Sequence, residues 1–202
     1  MSAETPGTQN YLGLPLGRFL EATASGEPSP GGGAVAAVTV ALAAGLSGMV
    51  ARFSGEHLAE AASLADRADA LRAKVAPLAR ADAEAYGRVL EAYRLPREPA
   101  PETRRKEIRE ALSGAADVPL VIAETGAEVA KVAALLAEEG NPNLRGDAIT
   151  AVVLAGAGVR AAAALVEINL SAGNVDDDRI QRARELVSVV ARTAQQAAED
   201  VG

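Results

Sequence analysis

The sequence predicts an all-α fold, a compact bundle of six to eight helices, and three observations carry that prediction. Alanine dominates a chain that is 49% hydrophobic yet holds only three Tyr, two Phe and no Trp. Alanine is the strongest helix former, so such a composition argues for helices packed at close range. Val and Ile sit inside Ala-rich runs without the alternation that a half-buried strand requires. Finally, Pro and Gly gather in short clusters that separate runs of helical length.

The elements follow in order. Leu16 to Thr23 reads as a short amphipathic helix. Ser25 to Gly33 packs two prolines and four glycines into nine residues and cannot be regular structure. A long apolar helix is predicted from Ala34 to Phe53, with Gly45 and Gly48 marking a close approach by another helix. Glu56 to Arg94 is helical again, with Leu64, Leu71, Leu78 and Ala85 recurring every seven residues. Pro77 must kink or divide it, because proline lacks an N–H and clashes with the preceding turn. Leu95 to Pro101 holds three prolines and reads as an exposed loop. A polar helix from Pro101 to Gly114 follows.

Asp117 has the features of an N-cap, with Pro119 in the first turn of a helix running to Glu139. Gly140 caps its C-terminus, and Asn141-Pro142-Asn143 forms a turn. An apolar helix then runs from Asp147 to Leu170, carrying Arg160 and Glu167 on one face. Asn174 to Asp178 is the next break, and Asp176 can cap a last amphipathic helix ending at Asp200. The 202 residues form one domain, of which residues 1–12 are expected to be a flexible N-terminus.

Composition excludes several kinds of function. A net charge of −7 leaves no basic face for nucleic acid. With no Cys and a single His, His57, thiolate chemistry, a Ser-His-Asp triad and a multi-histidine zinc site are ruled out. The absence of Cys fits a reducing compartment, and Met1 to Asn10 lacks the basic-then-apolar order of a secretory signal, so a cytoplasmic location is expected. Ala34 to Ala51 is an uncharged stretch of 18 residues, long enough to test as a membrane span. Its Ala, Gly, Ser and Thr content favours a helix buried in the protein, so no membrane contact is expected.

Three places could hold chemistry. Ser29-Pro30-Gly31-Gly32-Gly33 feeds directly into a helix, whose first N–H groups and positive dipole end suit an anion or a polar ring. It has neither the preceding strand of a dinucleotide fingerprint nor the Gly-Lys-Ser/Thr of a P-loop. Asp82, in Ala-Asp-Ala-Glu-Ala-Tyr, is a carboxylate that a tight Ala-rich setting would desolvate toward a useful pKa, although a solvent-facing charge has the same sequence. Asn141, Asn143 and Asp147 are short polar groups that could orient a ligand and equally suffice as turn and cap. The acidic run Asp176-Asp177-Asp178 is explained by the helix dipole, and no metal site is expected.

Taken together these segments resemble the cyclodeaminase/cyclohydrolase family, which includes the cyclodeaminase domain of formiminotransferase-cyclodeaminase. The resemblance runs from Leu16 to about Leu170. It comprises Phe19-Leu20, Pro30-Gly31-Gly32-Gly33-Ala34-Val35-Ala36-Ala37, Met49-Val50 and Asp82-Ala83-Glu84-Ala85-Tyr86. It continues through Leu95-Pro96-Arg97, Val118-Pro119-Leu120, Gly140-Asn141 with Asp147, and Ile168-Asn169-Leu170.

What this implies is an all-helical homodimer acting on a tetrahydrofolate derivative, with no cofactor beyond that substrate and a formiminotransferase as a possible partner. Two reactions are implied, cyclisation of 5-formiminotetrahydrofolate with loss of ammonia and, ranked second, hydrolysis of 5,10-methenyltetrahydrofolate. A catalytically silent folate-binding or regulatory protein is the third reading. By the same resemblance Asp82 is the catalytic proton shuttle. Pro30 and Gly31 to Gly33 form the pterin-binding loop, in which Gly31 to Gly33 bind the pterin or neighbouring polar atoms through backbone N–H groups, while Asn141, Asp147 and Asn169 orient the ring and Arg97 with Arg94 meets the glutamate tail. The chain departs from the family pattern at Glu56-His57, where a basic residue is usual after Gly55, and at Leu165, where asparagine is usual.

Overall fold

The structure is a computed structural model that describes residues 10–174 and 177–199. Among these residues eight α-helices and two short 3-10 turns follow one another without a strand. They are α1 (Leu16–Thr23), α2 (Gly32–Arg52), α3 (Ala61–Val75), α4 (Leu78–Arg94), α5 (Pro101–Ala115), α6 (Asp117–Glu139), α7 (Arg145–Ala172) and α8 (Asp178–Glu199). The all-α bundle expected from composition is the fold observed.

At the centre lie α2, α6 and α7, whose small side chains let the axes come close. Gly158 of α7 crosses Val40 of α2 so tightly that a Cβ there would lie 2.5 Å from the valine Cγ2. A Cβ at Gly126 of α6 would lie 2.7 Å from Val159 and 3.1 Å from Val40. These crossings, more than Gly45 and Gly48, are where glycine is required. Gly48 does face α3, near Ala68, whereas a methyl group at Gly45 would meet only the Arg72 side chain at ordinary distance. Against this centre pack α3 on α2 and α8 on α6 and α7, while α4 and α5 pair at one end.

Pro77 divides the long heptad segment: α3 stops at Val75 and α4 restarts at Leu78. The residues from Glu56 to Glu60, expected to be helical, instead form turns ahead of α3. Asp117 is not an N-cap. Ala116 before it is itself helical (φ −82°, ψ −21°), so α5 runs almost directly into α6. The Asp117 carboxylate instead accepts from Arg179 at 2.5 Å. Arg179 also reaches the Ser113 carbonyl at 2.9 Å and its hydroxyl at 2.7 Å, which ties α8 to the α5–α6 junction.

The cap expected at Asp176 falls outside the described residues, as does Asp200. Asp177 accepts from the Arg179 N–H at 2.8 Å and performs that role. Gly140 ends α6 as expected, and Asn141 closes the following turn by accepting from the Asn143 N–H at 3.0 Å. At the N-terminus the chain expected to be loose as far as residue 12 is already packed at Tyr11, which is 5% exposed.

Two helical segments, Gly32–Arg52 and Pro142–Ala172, are long and apolar enough to cross a membrane. The apolar windows within them are 56% and 50% buried inside the protein, as a bundle centre requires.

Candidate active site

Helix α2 begins two residues earlier than expected. Gly31 is its N-cap and Gly32 and Gly33 form its first turn, so the glycine-rich loop and the helix N-terminus are one structure. Across from that turn stands α4, which Pro77 has re-aimed at its own start. Asp82, five residues into α4, lies directly over Gly33, and any Cβ at Gly33 would collide with its carboxylate. The glycine is required here by close approach. The carboxylate accepts a hydrogen bond from the Ala34 N–H, one of the free donors at the start of α2.

Burial nevertheless dominates. It pushes the Asp82 carboxyl up to about 6, against the opposing pull of the Ala34 N–H. A carboxyl that titrates near the working pH can both take and return a proton, which is what general acid–base catalysis needs.

Asp82 opens onto a cleft of about 320 Å³ walled by α2, α4, α7 and the end of α5. One side is the loop and first turn, from Ser29 to Gly33. The other is Tyr86, one turn beyond Asp82 on α4, with Leu165, Ile168 and Asn169 of α7. Asn169 is held in place by donating its Nδ2 to the Ala115 carbonyl at 3.0 Å. The cleft therefore combines a desolvated carboxyl, the backbone donors of a helix N-terminus and a largely apolar wall, the requirements for gripping a flat polar ring.

Of the residues picked out in the sequence, Gly31, Gly32, Gly33, Asp82 and Asn169 meet in this cleft. Pro30 is buried and lines the neighbouring groove between α2 and α7. Asn141 and Asp147 are elsewhere. Asn141 lies at the far end of α2, where its N–H reaches Ser54 Oγ at 2.9 Å and its Nδ2 the Phe53 carbonyl at 3.0 Å. At 1.5 Å per residue, 21-residue α2 puts about 30 Å between that end and Gly32. Asp147, in the first turn of α7, stands a similar distance from Asn169 on the same helix.

One subunit therefore does not assemble Asn141, Asp147 and Asn169 around one ring. Arg97 is exposed on the α4–α5 loop and Arg94 at the end of α4, and neither lines the cleft. Ser29, Tyr86 and Ile168 stand in the segments picked out in the sequence but were given no role there, although Tyr86 is one helical turn from Asp82 and Ile168 adjoins Asn169. Leu165, noted as a departure, is part of the wall, one turn before Asn169.

Fold and cleft define an all-helical protein with a desolvated carboxyl set over a helix N-terminus. The sequence model of the formiminotransferase-cyclodeaminase family matches residues 15–188, and the chain belongs to that family. It is 36% identical over 183 residues to methenyltetrahydrofolate cyclohydrolase of Methylorubrum extorquens, covering 86% of this chain and 87% of that one. It is 35% identical over 198 residues to formimidoyltransferase-cyclodeaminase of Sus scrofa, and spans only 37% of that longer protein. The crystal structure of formiminotetrahydrofolate cyclodeaminase from Thermotoga maritima superposes with a TM-score of 0.83 at 28% identity, covering 94% of this chain and 96% of that one.

Proposed function

We propose that the protein interconverts one-carbon forms of tetrahydrofolate in the Asp82 cleft, and that its reaction is hydrolysis of the 5,10-methenyl ring to the 10-formyl form. The observation that carries the acid–base part is the Asp82 carboxyl, desolvated to about 6 and set over the first turn of α2. The hydrolytic choice is supported by the similarity to a cyclohydrolase of which this chain covers 87%. Cyclodeamination, ranked first on the sequence alone, becomes the second reading, supported by the likeness to the Thermotoga structure.

In the hydrolytic reaction a water oxygen bonds to the methenyl carbon while Asp82 takes one of its protons. The carbon–N5 bond then breaks, the remaining hydroxyl becomes the formyl oxygen and N5 takes up a proton. One proton in total is released to solvent. In deamination N10 attacks the carbon of the protonated formimino group, Asp82 relays the N10 proton to the departing nitrogen, and ammonia leaves as the N5 lone pair closes the methenyl cation. Both routes pass through one tetrahedral carbon between two nitrogens, so holding N5 and N10 together contributes much of the acceleration. The amides of Gly31 to Gly33 would hold the pterin edge, with Tyr86, Leu165 and Ile168 against its faces. Leu165 makes its own turn of that wall apolar, so the amide on this side of the cleft is that of Asn169, one turn further along α7.

A homodimer belongs to the same proposal. The centre of the bundle leaves Leu42 of α2 62% exposed and Val153 of α7 53% exposed, apolar side chains that a second subunit would cover.

Absorbance of 5,10-methenyltetrahydrofolate, followed together with ammonia, tests the assignment. Loss of the methenyl chromophore without ammonia is the expected result. Its formation from the formimino substrate with ammonia would select the second reading. Tight folate binding by the folded protein without turnover of either substrate would leave the silent binder.

A further inference from the structure

The α5–α6 junction is held from two sides, and one of them faces the Asp82 cleft. Ala116 keeps helical backbone between the two helices, so the last carbonyls of α5 point on toward α6. In a continuous run of helix the Ala115 carbonyl would accept from the backbone N–H of residue 119. That residue is Pro119, which has none. Asn169 of α7 takes the place instead, donating its Nδ2 to the Ala115 carbonyl at 3.0 Å, and both residues line the cleft. A carbonyl can only accept, so the amino branch of the Asn169 amide must turn to Ala115. Its oxygen branch is thereby set on the opposite side of the same plane.

The second hold on the junction comes from α8. Arg179 reaches the Ser113 carbonyl at 2.9 Å, the Ser113 hydroxyl at 2.7 Å and the Asp117 carboxylate at 2.5 Å, on either side of Ala115. The guanidinium is itself fixed by Asp177, which accepts from Nε at 2.9 Å and from Nη2 at 2.8 Å. Because a guanidinium presents its donors in one rigid plane, these bonds set where the junction lies relative to α8. Arg179 is not among the residues that line the cleft, so its effect there passes through Ala115 and Asn169.

We propose that Arg179 is a positioning residue of the cleft: clamping the junction on either side of Ala115, it keeps that carbonyl where it orients the Asn169 amide. Asn169 then meets the bound ring oxygen first, as the acceptor for a ring N–H. The ring N–H rests on the folate reading, since a tetrahydropterin carries such donors. The link from Arg179 through Ala115 to Asn169 does not.

The test compares Arg179→Met, Asn169→Ala and the double variant, each in the full chain. Folate turnover is measured together with the proton NMR shift of the Asn169 side-chain amide in the ligand-free protein, assigned by its loss in Asn169→Ala. Arg179→Met is expected to raise KM about fivefold with kcat within about twofold, and Asn169→Ala to raise KM about tenfold. The double variant should do no worse than Asn169→Ala, because both substitutions act on one amide. A merely structural loss of folded protein would lower kcat and leave KM where it was. The hydrogen-bonded Asn169 proton should move upfield in Arg179→Met as its contact with Ala115 loosens. An unchanged KM or an unmoved amide signal in folded Arg179→Met overturns the proposal, and so do losses that multiply in the double variant. Should Arg179→Met fail to fold, Arg179→Lys, which keeps the charge but cannot bond Ser113, Asp117 and Asp177 together, decides by the same two readings. If the wild-type protein turns over no folate, the functional reading fails, while the amide signal still judges Arg179.

Discussion

At the scale of single residues, Asp82 is a group held where its charge is disfavoured, and that has consequences for stability as well as for rate. Its folded-state pKa, about 6, lies above the unfolded value of 3.8, so between those values the native state binds more protons than the unfolded one. Stability therefore falls as pH rises through that window, and the unfavourable contribution is complete at neutral pH. Asp82→Asn removes the charge while keeping an oxygen for the Ala34 N–H. We expect its melting temperature to exceed wild type by about 2–4 °C at pH 7.5, with the gap closing near pH 4. The same variant should lose about 10²–10⁴-fold in kcat and still bind folate. A variant that is both unstable and active would refute both the role and the environment assigned to Asp82. Gly33→Ala sets a methyl group against the same carboxylate and should cost more than tenfold in kcat, with the melting curve showing whether α2 still forms.

At the scale of elements, the bundle depends on two glycine crossings and one ion-pair junction. Gly158→Ala forces a methyl group to 2.5 Å from Val40, an overpacking that typically costs about 1–3 kcal/mol. Combining it with Val40→Ala opens space at the same contact, so the double variant should be more stable than the sum of the two single losses predicts. Simple additivity in chemical denaturation would show that α2 and α7 do not meet there. At the junction Arg179, with its side chain 21% exposed, satisfies Asp117, Asp177 and Ser113 together. Arg179→Met keeps much of the stem but leaves those acceptors without their donor, and we expect a loss of about 1–3 kcal/mol in the same assay.

At the scale of the whole molecule, the proposed dimer makes its own prediction. Leu42 points outward from a helix that is apolar nearly all round, and Leu42→Glu should convert a dimer to monomers in light scattering while helix content by circular dichroism is kept. An unchanged mass for that variant would place the interface elsewhere.

The fold was legible at this scale because its signals are local. Pro77, Gly140 and the Leu95–Pro101 cluster end helices whatever surrounds them, and Ala-rich runs are helical in isolation as well as in a core. Asp117 shows the limit of such reading. It has the residue type and spacing of a cap, yet Arg179 of α8, remote in sequence, takes its carboxylate. The site was legible in part. The glycine-rich turn and Asp82 share one cleft, and Asn169 joins them from α7, whereas Asn141 and Asp147 lie one helix length away. Sequence order cannot separate these cases, because on helices of 21 and 28 residues neighbours along the chain and neighbours in space diverge by tens of ångströms. Tyr86 carried only the faint signal of helical spacing from Asp82, and Ile168 only that of adjoining Asn169.

By itself the sequence determined the all-helical class and most of its breaks, the absence of thiol chemistry, and the family, since these depend on residue types and their local order. Only the tertiary structure decided that Asp82 is desolvated against Gly33, that Leu165 and Ile168 wall the same cleft, and that Asn141 belongs to the opposite end of α2. The physical reason is that desolvation and enclosure are collective. A carboxyl group acquires a raised pKa from the several helices that exclude water around it, and no stretch of a single helix contains that information.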